Sequence, residues 1–278
     1  MRSKLAPLWN LNRSIEVFRC IHETEQWLPL SCAYLGFRDL TYPYPLRIRG
    51  MRPVMLKEVS DVWAFWQIFL RRVYEITGGE KTVLDAGANI GFFTLWAARL
   101  AAGARIFSIE PAPESYDRLR ENVRANGWED RVSCLQFALA GVSETRMVKM
   151  GKPKSQARRV LSYDSNASEP IAAVTTKTLA QVFEEQGIDS LDVLKMDIEG
   201  GEYETLLSAP SAVLRKIGRI SLEYHPDVEG YTTEQLLTFL AQQGFTLKTN
   251  ICNRDGFGLA LLENSARANA PSVAPVSQ

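Results

Sequence analysis

The 278-residue chain balances 32 Lys plus Arg against 32 Asp plus Glu, with 46% hydrophobic and 23% charged residues. That balance excludes wholesale disorder and removes any general electrostatic drive toward nucleic acid. No stretch approaches eighteen consecutive apolar residues and Asn10, Asn12, Arg13 and Ser14 interrupt any secretory core, so neither a membrane span nor an export signal is expected.

Residues 1–60 are weakly periodic and read as an N-terminal extension that caps the substrate site or mediates oligomerisation. A short helix is predicted over 15–27, a turn at Tyr42-Pro43-Tyr44-Pro45, and short strands over 46–49 and 54–56. From Asp61, the expected N-cap, the spacing of Val62, Phe65, Trp66, Phe69, Leu70 and Val73 predicts a helix stopping at Gly78-Gly79. Trp63, Phe65, Trp66 and Phe69, with Tyr42 and Tyr44, would roof an acceptor pocket, although such a stripe is more often core.

Strands and helices then alternate. Strands are predicted at 82–86, 105–110, 132–137, 191–196 and 217–224, with helices after Phe92, over 113–126 and over 232–243. Two more strands, 245–249 and 258–262, close the chain as a hairpin. This order predicts an α/β fold: a seven-stranded, mostly parallel sheet covered on both faces, with an antiparallel last strand at or near one edge. The main domain is assigned to 61–263 and an unstructured tail to 264–278. Residues 141–176 interrupt the rhythm as a hairpin plus a long loop bearing Lys152, Lys154, Arg158 and Arg159.

The first chemical signal is Asp85-Ala86-Gly87-Ala88-Asn89-Ile90-Gly91 between a strand and a helix. Gly87 permits a tight turn and Gly91 a close helix start, so a ligand can reach main-chain amides. The next strand ends in Glu110-Pro111, where a carboxylate can accept both ribose hydroxyls of an adenosine-type ligand. A dinucleotide normally calls for a small second position, here Asn89, and an acid such as Asp85 at the mouth would repel a pyrophosphate. The same acid would welcome the ammonium of S-adenosylmethionine (SAM), so SAM is the expected cofactor, bound by Asp85, Gly87, Asn89, Gly91 and Glu110. Asn89 either meets the cofactor or caps the helix that comes after it. The third strand lacks a terminal Asp for adenine, leaving Phe137 as a packing surface or an ordinary core residue.

The second signal is Lys195-Met196-Asp197-Ile198-Glu199-Gly200-Gly201-Glu202 at the end of the fourth strand, with Glu223 and His225 at the end of the fifth. Taken with D-x-G-x-N-x-G and Glu110-Pro111, the K-x-D-x-E-G-x-E stretch resembles the FkbM family of SAM-dependent methyltransferases over about residues 55–262. The resemblance implies the class I, Rossmann-like methyltransferase fold and methylation mostly on hydroxyl oxygens of sugars or natural products.

Strand ends face the ligand crevice, so Asp197, Glu223 and His225 are the expected catalytic residues, Asp197 also facing the cofactor. An alcohol acceptor must lose its proton as it attacks, and His225 suits that task because imidazole titrates near neutrality. Asp197, Glu199 and Glu223 would also accept a divalent metal. That reading is not favoured, because Lys195 and nearby arginines would neutralise such acids. Glu202 and Glu204 read as ordinary acids in a first helical turn. The expected acceptor is a small molecule or glycosyl hydroxyl, with no nucleic-acid or membrane partner. Four dispersed cysteines and only two histidines, His22 and His225, fit a reduced, cytoplasmic protein without a disulfide frame or a histidine-rich metal centre. The rivals are an N-methyltransferase or peptide-modifying enzyme of the same fold, a SAM-binding protein without turnover and, more distantly, an NAD dehydrogenase.

Overall fold

In the computed structural model, which describes residues 11–149, 171–225, 228, 230–252 and 257–268, the chain opens with helices α1 (Leu11–Glu23) and α2 (Trp27–Tyr34). A two-stranded ribbon comes next, β1 (Tyr44–Leu46) antiparallel to β2 (Val54–Leu56). Helix α3 (Val59–Phe65) starts before the residue expected to cap it. Glu58 is the N-cap, and Asp61 lies at N3, where its carboxylate accepts the amides of Lys57 (2.6 Å) and Glu58 (3.4 Å) in a reciprocal capping box. The helix widens into a π turn over Trp66–Arg71.

The extension is bound to the main domain through a shared apolar cluster. Cys20, Leu30, Leu46, Ile48, Val54 and Leu56 pack with Phe65, Trp66, Phe69 and Phe92. Buried Glu16 ties the two parts further, accepting from Trp66 Nε1 (2.7 Å), Tyr34 Oη (2.6 Å) and Arg71 Nε (3.0 Å). Phe65, Trp66 and Phe69 are therefore core, while Trp63 remains 38% exposed.

Strand β3 (Thr82–Ala86), helix α4 (Phe92–Leu100), strand β4 (Arg105–Ile109), helix α5 (Pro113–Ala125) and strand β5 (Val132–Leu135) form the first half of the main sheet and its cover. Three short strands come after them, β6 (Ala138–Leu139), β7 (Thr145–Lys149) and β8 (Ile171–Lys177). They make a separate sheet of order β6-β8-β7, whose β7–β8 pair is the antiparallel hairpin expected within 141–176. Lys152, Lys154, Arg158 and Arg159 lie outside the described residues.

The second half comprises α6 (Leu179–Glu185), β9 (Leu191–Met196), α7 (Glu202–Leu207), α8 (Ser211–Leu214), β10 (Ile217–Tyr224), α9 (Thr233–Gln242), β11 (Phe245–Cys252), β12 (Gly258–Asn264) and α10 (Ser265–Ala268). The main sheet runs β11-β12-β10-β9-β3-β4-β5. Its members from β10 to β5 pair in parallel, and β12 pairs antiparallel with both β10 and β11. This is the class I methyltransferase fold, with the reversed last strand one place in from the edge. The described residues also pass the boundary set at 263: Asn264 donates to Ile217 O (3.0 Å), and Arg267 donates to Lys216 O (2.6 Å) and Leu191 O (3.0 Å).

Strand order reverses between β4 on one side of β3 and β9 on the other. Such a switch point opens a crevice beyond the carboxyl ends of the strands. Among the described residues no helix is long and apolar enough to cross a membrane.

Candidate active site

One wall of the crevice is the turn from β3 into α4. Gly87 has φ +77°, and a β-carbon there would lie 1.8 Å from the carbonyl oxygen of Asp197. The glycine therefore lets the two strand ends touch through their backbones, with Asp197 N donating to Ala86 O at 3.1 Å. Asn89 is exposed at φ +51°. Its amide donates to Glu110 Oε2 (2.8 Å), and its side-chain oxygen accepts from Ser115 Oγ (3.2 Å) rather than capping α4. Glu110 Oε1 accepts from Ala112 N (2.9 Å), so this acid braces the loop against the tip of β4.

Gly91 begins α4 at φ +96°, with Leu119 Cδ1 2.6 Å from where a β-carbon would be. The Leu119 terminus can rotate away, but the left-handed backbone remains unfavourable for any other residue. Gly91→Ala is expected to destabilise the protein by about 1–2 kcal/mol. The measurement is the urea midpoint, which falls while the slope of the transition stays constant.

Asp85 is not at the mouth, as the sequence suggested. It is 0% exposed, with Oδ1 in ion contact with Lys195 Nζ (3.1 Å) and Oδ2 accepting from Thr94 Oγ1 (2.7 Å). Lys195 also donates to Gly87 O (2.7 Å) and Ala86 O (3.2 Å). Burial opposes the lysine's charge, but Asp85 and Asp197 raise its pKa. Asp85 thus holds the glycine turn from behind. Phe137 is 6% exposed and packs in the core cluster.

The opposite wall is built from the segments just past β9 and β10. Asp197 and Glu199 leave β9, Glu199 in the left-handed region at φ +55°. His225, next after β10, is 4% exposed. Its Nε2 lies 3.3 Å from Glu199 Oε2 and 4.0 Å from Asp197 Oδ1, and its Nδ1 lies 3.2 Å from Glu202 Oε1. Glu223 Oε2 accepts from the buried Tyr74 hydroxyl at 3.0 Å. Phe257 presents a ring edge to the imidazole at 5.4 Å between centroids.

Crowding of acids sets the protonation of this wall. Burial first, and then the Asp197 charge, push Glu199 to about 7. Burial and Asp197 likewise push Glu223 to about 7 against the Tyr74 hydrogen bond. Burial disfavours a charged His225, yet the Glu202 hydrogen bond and the charges of Glu202, Asp197 and Glu199 outweigh it and raise the imidazole to about 9. Among the described residues, no lysine or arginine forms a salt bridge with Asp197, Glu199 or Glu223. Lys195, expected to neutralise them, makes its ion contact with Asp85 and reaches Asp197 and Glu223 only through its field, so His225 supplies the nearest charge. Asp197, Glu223 and His225 each bring a ligand atom within 4.8 Å of the others, an O,O,N set in which His225 takes the place sequence gave to Glu199.

Glu202 and Tyr74 are the site residues that sequence reasoning missed. Glu202 closes the K-x-D-x-E-G-x-E stretch but read as an ordinary acid in a first helical turn, and its 0% exposure marks it out as more. Tyr74 reaches Glu223 across 149 positions, which no local pattern announces.

Residues 85–247 match the methyltransferase FkbM domain, more than half the chain. The chain belongs to the FkbM methyltransferase family. It is 27% identical over 265 residues to the AMB antimetabolite synthetase AmbE of Pseudomonas aeruginosa, which covers 81% of this chain but only 12% of AmbE. The 31-O-demethyl-FK506 methyltransferase FkbM of Streptomyces tacrolimicus is 28% identical over 204 residues, 64% of this chain and 77% of that one. The hexuronic acid methyltransferase AglP of Haloferax volcanii is 25% identical over 191 residues, covering 66% and 74% of the respective chains. The glycine turn and the acids and histidine opposite it fall inside the FkbM match, whereas Tyr74, Phe257 and the N-terminal extension lie outside it.

Proposed function

We propose that this FkbM-family protein methylates a hydroxyl oxygen of a sugar or natural-product acceptor, with SAM as donor. The observation that carries the reading is the meeting of Asp197, Glu199, Glu223 and His225 at the ends of β9 and β10, directly against the glycine turn of β3. An acid-lined crevice beside a glycine turn fits a cationic adenosine derivative. Gly87, Asn89, Gly91 and Glu110 would hold it, Asp197 would face its charged end, and Asp85 would act from behind through Lys195.

SAM, when bound, supplies an activated methyl group: the acceptor oxygen forms the new C–O bond as the C–S electron pair leaves on sulfur. The chain's task is to align the acceptor and receive its proton. Alignment of reacting groups is worth up to about 7–11 kcal/mol. In its neutral form, the minor one below about pH 9, His225 Nε2 takes the proton, and Glu199, Asp197 and Glu202 stabilise the resulting imidazolium. Tyr74 keeps Glu223 fixed at the edge of the acceptor space. The names of the FkbM and AglP relatives support a natural-product or sugar acceptor.

The test is incubation with methyl-labelled SAM and a panel of paired hydroxyl and amine acceptors, with mass spectrometry of the products. O-methylated product with S-adenosylhomocysteine is expected. Methylation of amines alone would replace this reading with N-methylation, and SAM binding without product from any acceptor would replace it with a sensor. A proton acceptor held by protein acids makes a metal unnecessary. Dialysis against EDTA is therefore expected to leave kcat within about twofold of its starting value, measured by S-adenosylhomocysteine release. A loss restored by manganese would instead turn Asp197, Glu223 and His225 into metal ligands.

A further inference from the structure

We propose that Glu202 is the positioning residue of the site, a buried carboxylate that fixes His225 through Nδ1–H and so turns Nε2 toward the acceptor. The inference rests on the reading of His225 as proton acceptor and adds what prepares it for that role.

Three contacts meet on this one carboxylate. Oε1 accepts from Ile198 N (2.8 Å) and Oε2 from Gly200 N (2.8 Å), closing the turn that carries Glu199. Oε1 also meets His225 Nδ1 at 3.2 Å. An acceptor already holding two amide protons offers the imidazole a lone pair, so Nδ1 is the nitrogen that keeps its proton when the ring is neutral. The neighbouring residue fixes the main chain at the same point: Tyr203 Oη donates to His225 O at 2.7 Å. Consecutive residues at the start of α7 therefore hold both the ring and the backbone of His225. The same Glu202 shapes the Asp197–Glu199 turn, so the two halves of the acidic wall are set by a single side chain.

A surface acid in a first helical turn would do none of this. Glu202 is 0% exposed, and a fully buried carboxylate is tolerated only when its acceptor sites are filled. Here the partners that fill them are the site's own turn and its own base. The groups facing the imidazole are Glu202 from α7, Asp197 and Glu199 from the β9 turn, Glu223 from β10, and the Phe257 ring edge before β12. Of the acids, Glu202 alone addresses Nδ1.

The chain contains two histidines, so nitrogen-15 labelling of histidine yields two imidazoles, each with two ring-nitrogen signals. His22→Gln, at an exposed helical position, assigns them. In the wild type, neutral His225 is expected as the Nδ1–H form, with a titration midpoint near 9. In Glu202→Gln that midpoint falls by at least roughly one pH unit as the negative charge is lost. Compared above pH 9, where the ring is neutral in both proteins, its kcat falls roughly 10²-fold, the lower end of what a positioned base supplies, while KM for SAM stays within about threefold. Glu202→Asp, which keeps the charge, recovers part of the midpoint. A wild-type ring protonated at Nε2 when neutral overturns the proposal, as does a Glu202→Gln protein with an unchanged midpoint. The wild-type tautomer is decisive even if the variant fails to fold. It is also read without turnover, so its outcome is separate from that of the acceptor screen.

Discussion

His225→Gln is expected to lower kcat by roughly 10²–10⁴-fold, the contribution of a positioned general base. The loss stops there because the variant still holds both substrates, and alignment survives. Affinity for SAM is expected to stay the same or tighten. Removing the imidazole leaves Asp197, Glu199, Glu202 and Glu223 without their nearest cation, and a cationic ligand then gains what the histidine gave up. Calorimetry with SAM and single-turnover product release separate the two effects. A kcat within about threefold of wild type would remove His225 from the chemistry.

The same substitution carries a pH signature in stability. The folded-state pKa of His225, about 9, lies above its ordinary value of 6.5. Its stabilising contribution is therefore complete below about pH 6.5 and disappears as pH rises through 9. The stability gap between wild type and His225→Gln should narrow across that window in urea titrations.

The core of the sheet was legible because its strands carry apolar residues at most buried positions, Leu191, Val193, Leu194 and Met196 in one and Ile217, Ile220, Leu222 and Tyr224 in the next. Leu191–Met196 and Ile217–Tyr224 have the bounds that their sequence runs predicted. Helix α3 misled by three residues because its capping box uses two acids, Glu58 and Asp61, and either one alone reads as a cap. Helix α6 was passed over although Thr178 and Gln181 form a readable capping box, since it comes directly after the irregular 141–176 stretch. At the site, residue types at strand ends named Asp197, Glu223 and His225 correctly as neighbours. What sequence does not carry is register. Asp85 looked like a rim acid because nothing local reveals that Lys195 stands opposite it on the adjoining strand. The role of Glu202 was illegible for the same reason, its partner His225 being 23 positions away.

Lys195→Met is expected to destabilise the protein by about 3–5 kcal/mol, the usual result of leaving a buried charge without its partner. Asp85 and Lys195 face each other on β3 and β9, with side chains 0% and 4% exposed, so water cannot replace the ammonium. If the lost energy is that of an orphaned carboxylate, a second change that removes the charge should return most of it. Asp85→Asn is the right choice, because its amide oxygen still accepts from Thr94. The double variant is therefore expected to unfold much closer to wild type than Lys195→Met alone, a coupling that the double-mutant cycle measures directly. Its cofactor site should not recover in parallel. Lys195 also donates to the carbonyls of Ala86 and Gly87, and no neutral side chain in the double variant restores those bonds. Stability regained with SAM binding still weakened by about tenfold or more, equivalent to about 1.4 kcal/mol, would show the lysine serving the glycine turn as well as the ion pair. An unchanged urea midpoint in Lys195→Met would remove Lys195 as the anchor of the turn.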